Sequence, residues 1–198
     1  MKTIVFLAIV SFLTIGGSQA QKLKLVEGDL KKLKGVKSLN TEFTYSPMVV
    51  GKDKDEPVYV EEKKAQMNEK EPGSGDKWAL LWEEDRKNRF EPHFNTLFTK
   101  HSNGISNLDQ SSPYKLTIRT TRTEPGFNVG VVRRGAFIDA EAVIVEAANP
   151  NNVIARIEIT KSPGRDDFGF DFETGARLQD AYARAGQALG KFLADKTR

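Results

Sequence analysis

The sequence predicts a small α+β domain, with a largely antiparallel sheet of about four strands and helices packed on one face. The predicted element order is β-α-α-β-β-β-α. Alternating apolar residues mark one clear strand before a pair of helical segments and three strands after it, and an amphipathic stretch follows. Because the strands are grouped and do not alternate regularly with helices, the pattern argues against a parallel sheet of βαβ units.

Residues 1–20 have the three parts of a secretory signal peptide. Lys2 supplies the positive charge, residues 3–15 are apolar, and Ser18 and Ala20 place small residues where a signal peptidase reads them. The apolar run is shorter than the roughly 20 residues that a membrane span needs. We expect cleavage after Ala20; the alternative is an anchor that stays attached.

The chain contains no cysteine. This excludes disulfides, thiol nucleophiles, thiolate metal sites and a cysteine-linked lipid anchor at the cleavage point, where Gln21 stands. Residues 21–198 suit a single domain held together by its apolar core. No second stretch is apolar enough to span a membrane. We therefore expect an exported protein, periplasmic or extracellular, that is not lipid-anchored.

The elements predicted between residues 21 and 100 are strands followed by helices. A short edge strand in residues 21–35 is followed by a clearer strand over 36–45, where apolar and polar residues alternate. A helix should begin at Pro57, a residue that suits the first helical position, and should run to about Lys70. After a breaker rich in Gly and Pro, two helical pieces are expected over 76–89 and 91–100, since Pro92 must end or kink the segment.

Three strands and a helix complete the predicted domain. The strands cover 114–123, 135–147 and 153–160, and the last two should pair as an antiparallel hairpin through a turn at 149–152. Thr174 suits the N-cap of a helix over 175–195. The apolar stripe of that helix is wide enough to lie on a sheet.

The formal net charge of +3 is small and falls to about +2 without Lys2. The near balance, the absence of a basic helix and the expected compartment argue against a nucleic-acid partner. One local basic excess stands out, and it either contacts an anionic surface or is simply solvated. Its members are Lys22, Lys24, Lys31, Lys32, Lys34 and Lys37.

The sequence assigns no catalytic, cofactor-binding or metal-binding residue. The two histidines, His93 and His101, lack the spacing of a helical zinc pair, and no serine lies in a G-x-S-x-G turn. An acidic loop either binds Ca²⁺ or caps the following helix, although it lacks the ligand order of an EF-hand. Its carboxylates are Asp166, Asp167, Asp171 and Glu173.

Aromatic residues supply the predicted interaction surface. Trp78 and Trp82 share a helix face, Phe127 lies in a Gly-rich loop with Arg133 nearby, and the alternating Phe168 and Phe170 can face one way. These side chains either fill the core or form an exposed apolar patch of the kind that marks an interface.

Several segments resemble a family of uncharacterised secreted bacterial proteins that is abundant in Bacteroidetes. They are Gly75-Asp76-Lys77-Trp78 with Trp82 and Asp85-Arg86, Thr123-Glu124-Pro125-Gly126-Phe127-Asn128-Val129-Gly130, Ala181-Tyr182-Ala183-Arg184-Ala185-Gly186 and Leu189-Gly190-Lys191. In element order the chain is also similar to TolB N-terminal and CsgG-like envelope domains. Neither resemblance carries an activity, because fold alone does not imply function.

Two functional hypotheses follow from these observations. The first is an exported, non-catalytic interaction domain that binds an envelope or extracellular protein. The alternative is a carboxylate-based hydrolase or carbohydrate-binding protein, which would need two carboxylates facing each other across a cleft. Its candidate carboxylates, expected near Trp78, are Glu83, Glu84, Asp85, Asp166 and Asp167. The sequence leaves the oligomeric state open.

Overall fold

The structure is a computed structural model that describes residues 21–129, 132–165 and 174–197. The predicted signal peptide lies outside these residues. Mixed helices and sheet confirm the α+β class. The helices are α1 (Glu56–Lys70), α2 (Ser74–Asp85), α3 (Glu91–His101) and α4 (Thr174–Lys196). The strands are β1 (Lys22–Gly28), β2 (Asn40–Thr44), β3 (Val49–Val50), β4 (Lys54–Asp55), β5 (Tyr114–Glu124), β6 (Phe127–Val129), β7 (Val132–Arg134), β8 (Phe137–Glu146) and β9 (Asn149–Pro163).

The sheet is larger than the sequence predicted. Seven strands form it in the order β1-β9-β8-β5-β3-β4, with β2 also paired to β5, and β6 and β7 form a separate hairpin. The predictions of about four strands and of the order β-α-α-β-β-β-α are therefore wrong, since four strands precede α1. β3 and β4 are two residues long each, too short to show an alternating pattern.

The strand directions are mixed. The β1–β9, β9–β8, β8–β5 and β3–β4 pairs are antiparallel, whereas β2 and β3 both run parallel to β5. The predicted hairpin of the last two long strands is present. Its turn lies at residues 147–148 and not at 149–152, because Asn149 already pairs with Glu146.

The helical segment from α2 to α3 contains a π-helical turn at Arg86–Phe90. Pro92 follows near the start of α3. Because proline lacks a backbone N–H, the regular hydrogen-bond ladder cannot continue through it. The two predicted helical pieces are therefore present as α2 and α3, but the helical path does not end between them, because a wider π-helical turn joins them.

One face of the sheet supplies the core. Leu116, Ile118, Ile138, Ile144 and Ile157 are buried at alternating strand positions. α4 packs on β8 and β9, and Tyr182 of α4 reaches Thr120 of β5 with 2.7 Å between the two hydroxyl oxygens. A wide apolar stripe on α4 therefore lies on the sheet, as its spacing predicted.

Other alternating positions of the sheet carry ion pairs. Glu141 of β8 joins Arg119 at 2.8 Å and Arg156 at 2.9 Å, and Arg156 also reaches Glu27 of β1 at 2.9 Å. Lys115 pairs with Glu42 of β2. Charged side chains are typical of a sheet face that is open to water. Among the described residues, no helix has the length and apolar character needed to cross a bilayer.

Candidate functional site

A groove of about 410 Å³ lies beside α1, at the end of the sheet where β5 leads into the β6–β7 hairpin. We call it the α1 groove. α1 and the β3–β4 turn form one wall, and the β6–β7 hairpin and the start of α4 form the other. The lining residues are Val50, Gly51, Lys54, Tyr59, Glu62, Lys63, Gln66, Glu124, Pro125, Gly126, Phe127, Arg134 and Thr174.

A buried carboxylate fixes the hairpin wall of the α1 groove. Glu124 is 5% exposed; its Oε1 accepts the Gly126 N–H at 3.2 Å and its Oε2 accepts Arg134 Nη1 at 3.1 Å. Gly126 has a φ of +71°, and a Cβ there would lie 2.7 Å from the Arg134 carbonyl oxygen. This turn therefore requires glycine, and the hydrogen-bonded Glu124 holds the hairpin in place.

The hairpin wall presents an aromatic ring and a cation together. The Arg134 guanidinium lies over the Phe127 ring, 5.6 Å from its centroid. Phe127 is half-buried and Arg134 is exposed. A cation over an aromatic face is electrostatically favourable, so this pair forms an ordered, amphipathic edge for the groove.

The facing wall, on α1, combines an ion pair with an aromatic ring. Lys54 contacts Glu62. Tyr59 packs edge-on to Trp78, with 6.0 Å between the ring centroids, and tilted against Trp82 at 5.5 Å. These contacts fix the Tyr59 ring, so its orientation at the groove is set by the core behind it.

The sequence-predicted interaction residues separate in the structure. Trp78 and Trp82 are 9% and 7% exposed and belong to the core. Of the two alternatives from sequence, core or exposed patch, the structure therefore shows the core for these two residues. Phe127 lines the α1 groove. Arg133 lies in β7, opposite Asn128 of β6. Phe168 and Phe170 lie outside the described residues.

None of the candidate carboxylates of the hydrolase hypothesis that the structure describes lines the α1 groove. Glu83 and Glu84 are exposed on α2, and Asp85 is buried. Asp166 and Asp167 lie outside the described ranges, as do the other two carboxylates of the acidic loop, Asp171 and Glu173.

Asp85 instead supports the start of α4. A Cβ at Gly175 would lie 1.8 Å from Asp85 Oδ2, so the carboxylate sits directly against the first turn of the helix. Arg89 Nε pairs with Asp85 Oδ1 at 2.8 Å. Burial raises the pKa of Asp85, and the Arg89 charge opposes that rise. A carboxylate at a helix N-terminus is stabilising, so these contacts assign Asp85 a structural role.

Both histidines have local partners. His93 Nδ1 lies 2.8 Å from the Arg89 carbonyl oxygen and therefore donates to it. His101 Nε2 lies 3.1 Å from Gln187 Nε2. Within residues 21–129, 132–165 and 174–197, no group of three or more His, Cys, Asp or Glu side chains is placed to hold a metal ion.

A second polar cluster lies between β2 and the helices. Tyr45 donates to Glu91 Oε1 at 3.3 Å, and the Arg86 guanidinium lies 4.6 Å from the Tyr45 ring centroid. Burial, followed by the charges of Tyr182 and Glu91, raises the pKa of Tyr45 well above its ordinary range. The hydroxyl therefore stays protonated, and the cluster links elements without offering a base.

Sequence reasoning missed most of the α1 groove. Tyr59 and Glu62 lie on a helix whose sequence pattern predicts its length but not its neighbours. Glu124 and Arg134 are ten positions apart, so their contact is not visible in the sequence. Tertiary pairing of β6 with β7 brings them together. The available signal was Glu124-Pro125-Gly126, in which a glycine precedes Phe127 and marks a tight turn.

The comparisons with known proteins give remote structural likeness alone. No protein-family model matches the chain, and no curated protein is significantly similar to it. Two PelC dodecamer structures from Paraburkholderia phytofirmans match 83% of this chain and 96% of theirs, at 8% and 9% identity and a TM-score of 0.36 each. Protein XCC0632 from Xanthomonas campestris, described as a DUF330 protein, matches 81% of this chain and 84% of its own at 12% identity and a TM-score of 0.41.

At these identities and TM-scores, the likeness assigns neither a fold family nor a function to this chain. The resemblance to secreted Bacteroidetes-type proteins and to TolB- or CsgG-like domains stays a prediction from sequence.

Proposed function

We propose that this protein is an exported, non-catalytic binding domain that holds an extended peptide segment of an envelope or extracellular protein in the α1 groove. The observation that carries the proposal is the pairing of aromatic and charged side chains on facing walls. Tyr59 stands on one wall, and Phe127 stands under Arg134 on the other. A concave site with a few placed polar groups is typical of ligand binding.

The carboxylates of the groove support binding over acid–base catalysis. Glu62 contacts Lys54, and Glu124 accepts hydrogen bonds from Arg134 and Gly126. A glycoside hydrolase needs one carboxylic acid that donates a proton and a second carboxylate that faces it. Here both carboxylates already form ion pairs with cations of the groove itself.

The charges of the groove indicate the kind of peptide it accepts. Three cations, Lys54, Lys63 and Arg134, line it together with Glu62 and Glu124. The two rings give apolar contact area at low conformational cost. A segment with an apolar side chain next to an acidic one fits this arrangement.

Replacing Phe127 by alanine should weaken peptide binding at least about tenfold, because truncating a central aromatic anchor typically costs about 2 kcal/mol or more. The probe is a phage-displayed random peptide library selected on the chain without residues 1–20. Affinities of the enriched peptides are then measured by isothermal titration calorimetry against each variant.

Leu80→Ala is the matched control, since Leu80 is an apolar side chain exposed on α2 that does not line the α1 groove. The proposal requires enriched peptides that bind the Leu80→Ala variant normally and the Phe127→Ala variant weakly. Enriched peptides that bind both variants equally, or a library that yields none, would overturn it.

Export has its own test. We expect the full chain, expressed in a Gram-negative host, to reach the periplasm or the medium with Gln21 as its first residue. β1 begins at Lys22, so cleavage after Ala20 removes none of the described elements. Intact mass of the fractionated protein measures this. An Ala20→Tyr variant should accumulate as precursor, because the peptidase requires a small residue there, and an uncleaved wild-type chain would refute export by this route.

A further inference from the structure

The C-terminal ends of α3 and α4 lie at one end of the molecule. Phe90, just before α3, stacks on Tyr182 at 4.7 Å, and a Cβ at Gly190 would lie 2.7 Å from the Phe98 carbonyl oxygen. The two helices therefore run in the same direction. The opposite end of α4 meets the end of β9, where Ser162 Oγ donates to the Ala181 carbonyl at 2.7 Å.

The segment between β1 and β2 lies at this same end. β9 runs antiparallel to α4, so its start is near the C-terminus of the helix. The Asp29 N–H donates to the Ile154 carbonyl of β9 at 3.0 Å, and a short 3-10 helix, Leu30–Leu33, follows with both leucines buried. The Ser106 N–H, just beyond α3, donates to the Lys37 carbonyl at 2.9 Å.

The C-terminal ends of α3 and α4 and the segment between β1 and β2 together carry seven lysines. We call this part of the molecule the lysine-rich end. All of its lysines are exposed, and in the part of the chain that the structure describes none of them forms an ion pair. Two of the nearby carboxylates are engaged locally: Asp29 accepts the Lys31 backbone N–H at 2.9 Å, and Asp109 accepts from Ser111. The lysines are Lys31, Lys32, Lys34, Lys37, Lys100, Lys191 and Lys196.

Some lysines elsewhere in the molecule have carboxylate partners. Lys54, Lys64, Lys87 and Lys115 each form an ion pair. Others form no ion pair among the described residues but lie apart on separate segments, namely Lys22, Lys52, Lys70 and Lys77. Residues 21–198 carry a net charge of only about +2, so seven lysines without ion pairs at one end make the charge distribution asymmetric. Such a face attracts an anionic surface.

An exposed leucine lies on the loop that follows α3, two residues beyond Ser106, and lines a groove with Pro92, Asn95 and Thr99 of α3. Leu108 is 66% exposed, and its neighbours are fixed: the Thr41 N–H donates to the Asn107 carbonyl and the Asp109 N–H donates to the Leu39 carbonyl, both at 3.2 Å. The Asn107 side chain is fully buried and bonds to Thr99 Oγ1 at 2.7 Å. Leu108 is therefore presented outward by an anchored loop.

We propose that the lysine-rich end docks the protein peripherally on an anionic phospholipid bilayer, with lysines on the phosphates and Leu108 at the edge of the acyl region. Unpaired ammonium groups spread over several chain segments suit a planar array of charges. An exposed apolar side chain on the loop that pairs with the Lys37 segment suits a surface with an apolar layer beneath its headgroups.

The α1 groove lies at the other end of α4. Thr174 at the start of α4 lines the groove, and α4 has 23 residues, about 34 Å at 1.5 Å per residue. Docking through the other end leaves the groove facing away from the membrane.

The test is co-sedimentation of the chain without residues 1–20 with large unilamellar vesicles. Vesicles of phosphatidylcholine with 30% phosphatidylglycerol should bind it in 0.1 M NaCl, and vesicles of phosphatidylcholine alone should not. Raising NaCl to 0.5 M should remove most of the binding, because screening shortens the range of the attraction. Absence of binding to the anionic vesicles overturns the proposal.

A quadruple variant, with Lys31, Lys32, Lys34 and Lys37 each replaced by Gln, should lose at least about 50-fold in vesicle affinity, since each lysine near the surface contributes several-fold. The matched control removes the same charge from exposed lysines elsewhere, by replacing Lys22, Lys52, Lys70 and Lys77 with Gln. Equal losses in the two variants would show a response to net charge alone and would overturn the assignment to this end.

Two further variants separate the related hypotheses. Leu108→Ser should weaken vesicle binding several-fold while leaving binding to soluble polyglutamate unchanged. If the lysine-rich end binds polyglutamate as tightly as vesicles and Leu108→Ser affects neither, the partner is an acidic polymer and the lipid proposal fails. Phe127→Ala should leave vesicle binding unchanged, so failure of the docking surface and failure of the α1 groove are distinguishable.

Discussion

Replacing Gly186 by alanine is expected to lower the free energy of unfolding by about 3 kcal/mol, the upper part of the usual range for overpacking. A Cβ at this position would lie 2.2 Å from the carbonyl oxygen of Phe94. The obstacle is backbone, so the clash is not relieved by rotating a side chain. α3 and α4 must separate, which loosens the fully buried Phe94 ring and its contacts with Phe98 and Phe43.

The sign of the effect is informative because alanine is the better helix former. On an exposed helix, Gly→Ala would stabilise by about 1 kcal/mol, so a net loss at Gly186 reports helix packing. Urea unfolding followed by circular dichroism measures it. Gly190→Ala should cost less, since its Cβ would meet the Phe98 carbonyl at 2.7 Å. Arg184→Ala, on the exposed side of α4, is the neutral control. Stability equal to wild type in Gly186→Ala would contradict the close helix contact.

The sequence predicted the helices better than the sheet, and local chemistry explains the difference. α1 begins one residue before Pro57 and ends at Lys70, as expected, because its start and stop signals are encoded in neighbouring residues. The apolar stripe of α4 likewise repeats over six turns. Such signals do not depend on the rest of the chain.

The missing strands depend on distant partners. β3, Val49–Val50, is a strand because it pairs with Arg122 and Thr123 of β5, and two residues cannot show a period of two. The parallel pairing of β2 with β5 joins residues about 75 positions apart, such as Phe43 and Ile118. Alternation predicts which face of a strand is apolar but not its neighbour or direction.

The candidate site shows the same limit. The spacing of Trp78 and Trp82 is identical whether their helix face meets solvent or protein, and packing of Tyr59 from α1 decided the outcome. Phe127 was identified from its place beside Gly126, a local turn signal. The facing wall of the groove needed the tertiary structure, since no local pattern places Tyr59 opposite Phe127.

Replacing Glu56 by alanine is expected to destabilise the protein by about 3 kcal/mol, because it leaves the buried Trp82 indole N–H and the half-buried Arg86 guanidinium without their acceptor. Glu56 is the first residue of α1, and its side chain is 13% exposed. Its Oε1 accepts the Trp82 Nε1–H at 2.6 Å and also contacts Arg86. One carboxylate oxygen therefore ties the start of α1 to the end of α2 and to the π-helical turn behind it.

Glu56→Gln separates the hydrogen bond from the charge. Its amide oxygen still accepts from the indole, whereas the ion pair with Arg86 is lost, so a smaller destabilisation of about 1 kcal/mol is expected. Glu61→Ala, on the exposed side of α1, should change stability little. Urea unfolding followed by tryptophan fluorescence suits this test, because Trp78 and Trp82 are the two tryptophans of the chain and both pack against Tyr59. If Glu56→Ala and Glu61→Ala unfold at the same urea concentration, the carboxylate does not hold the helices together, and the order of Tyr59 at the α1 groove must then come from ring packing alone.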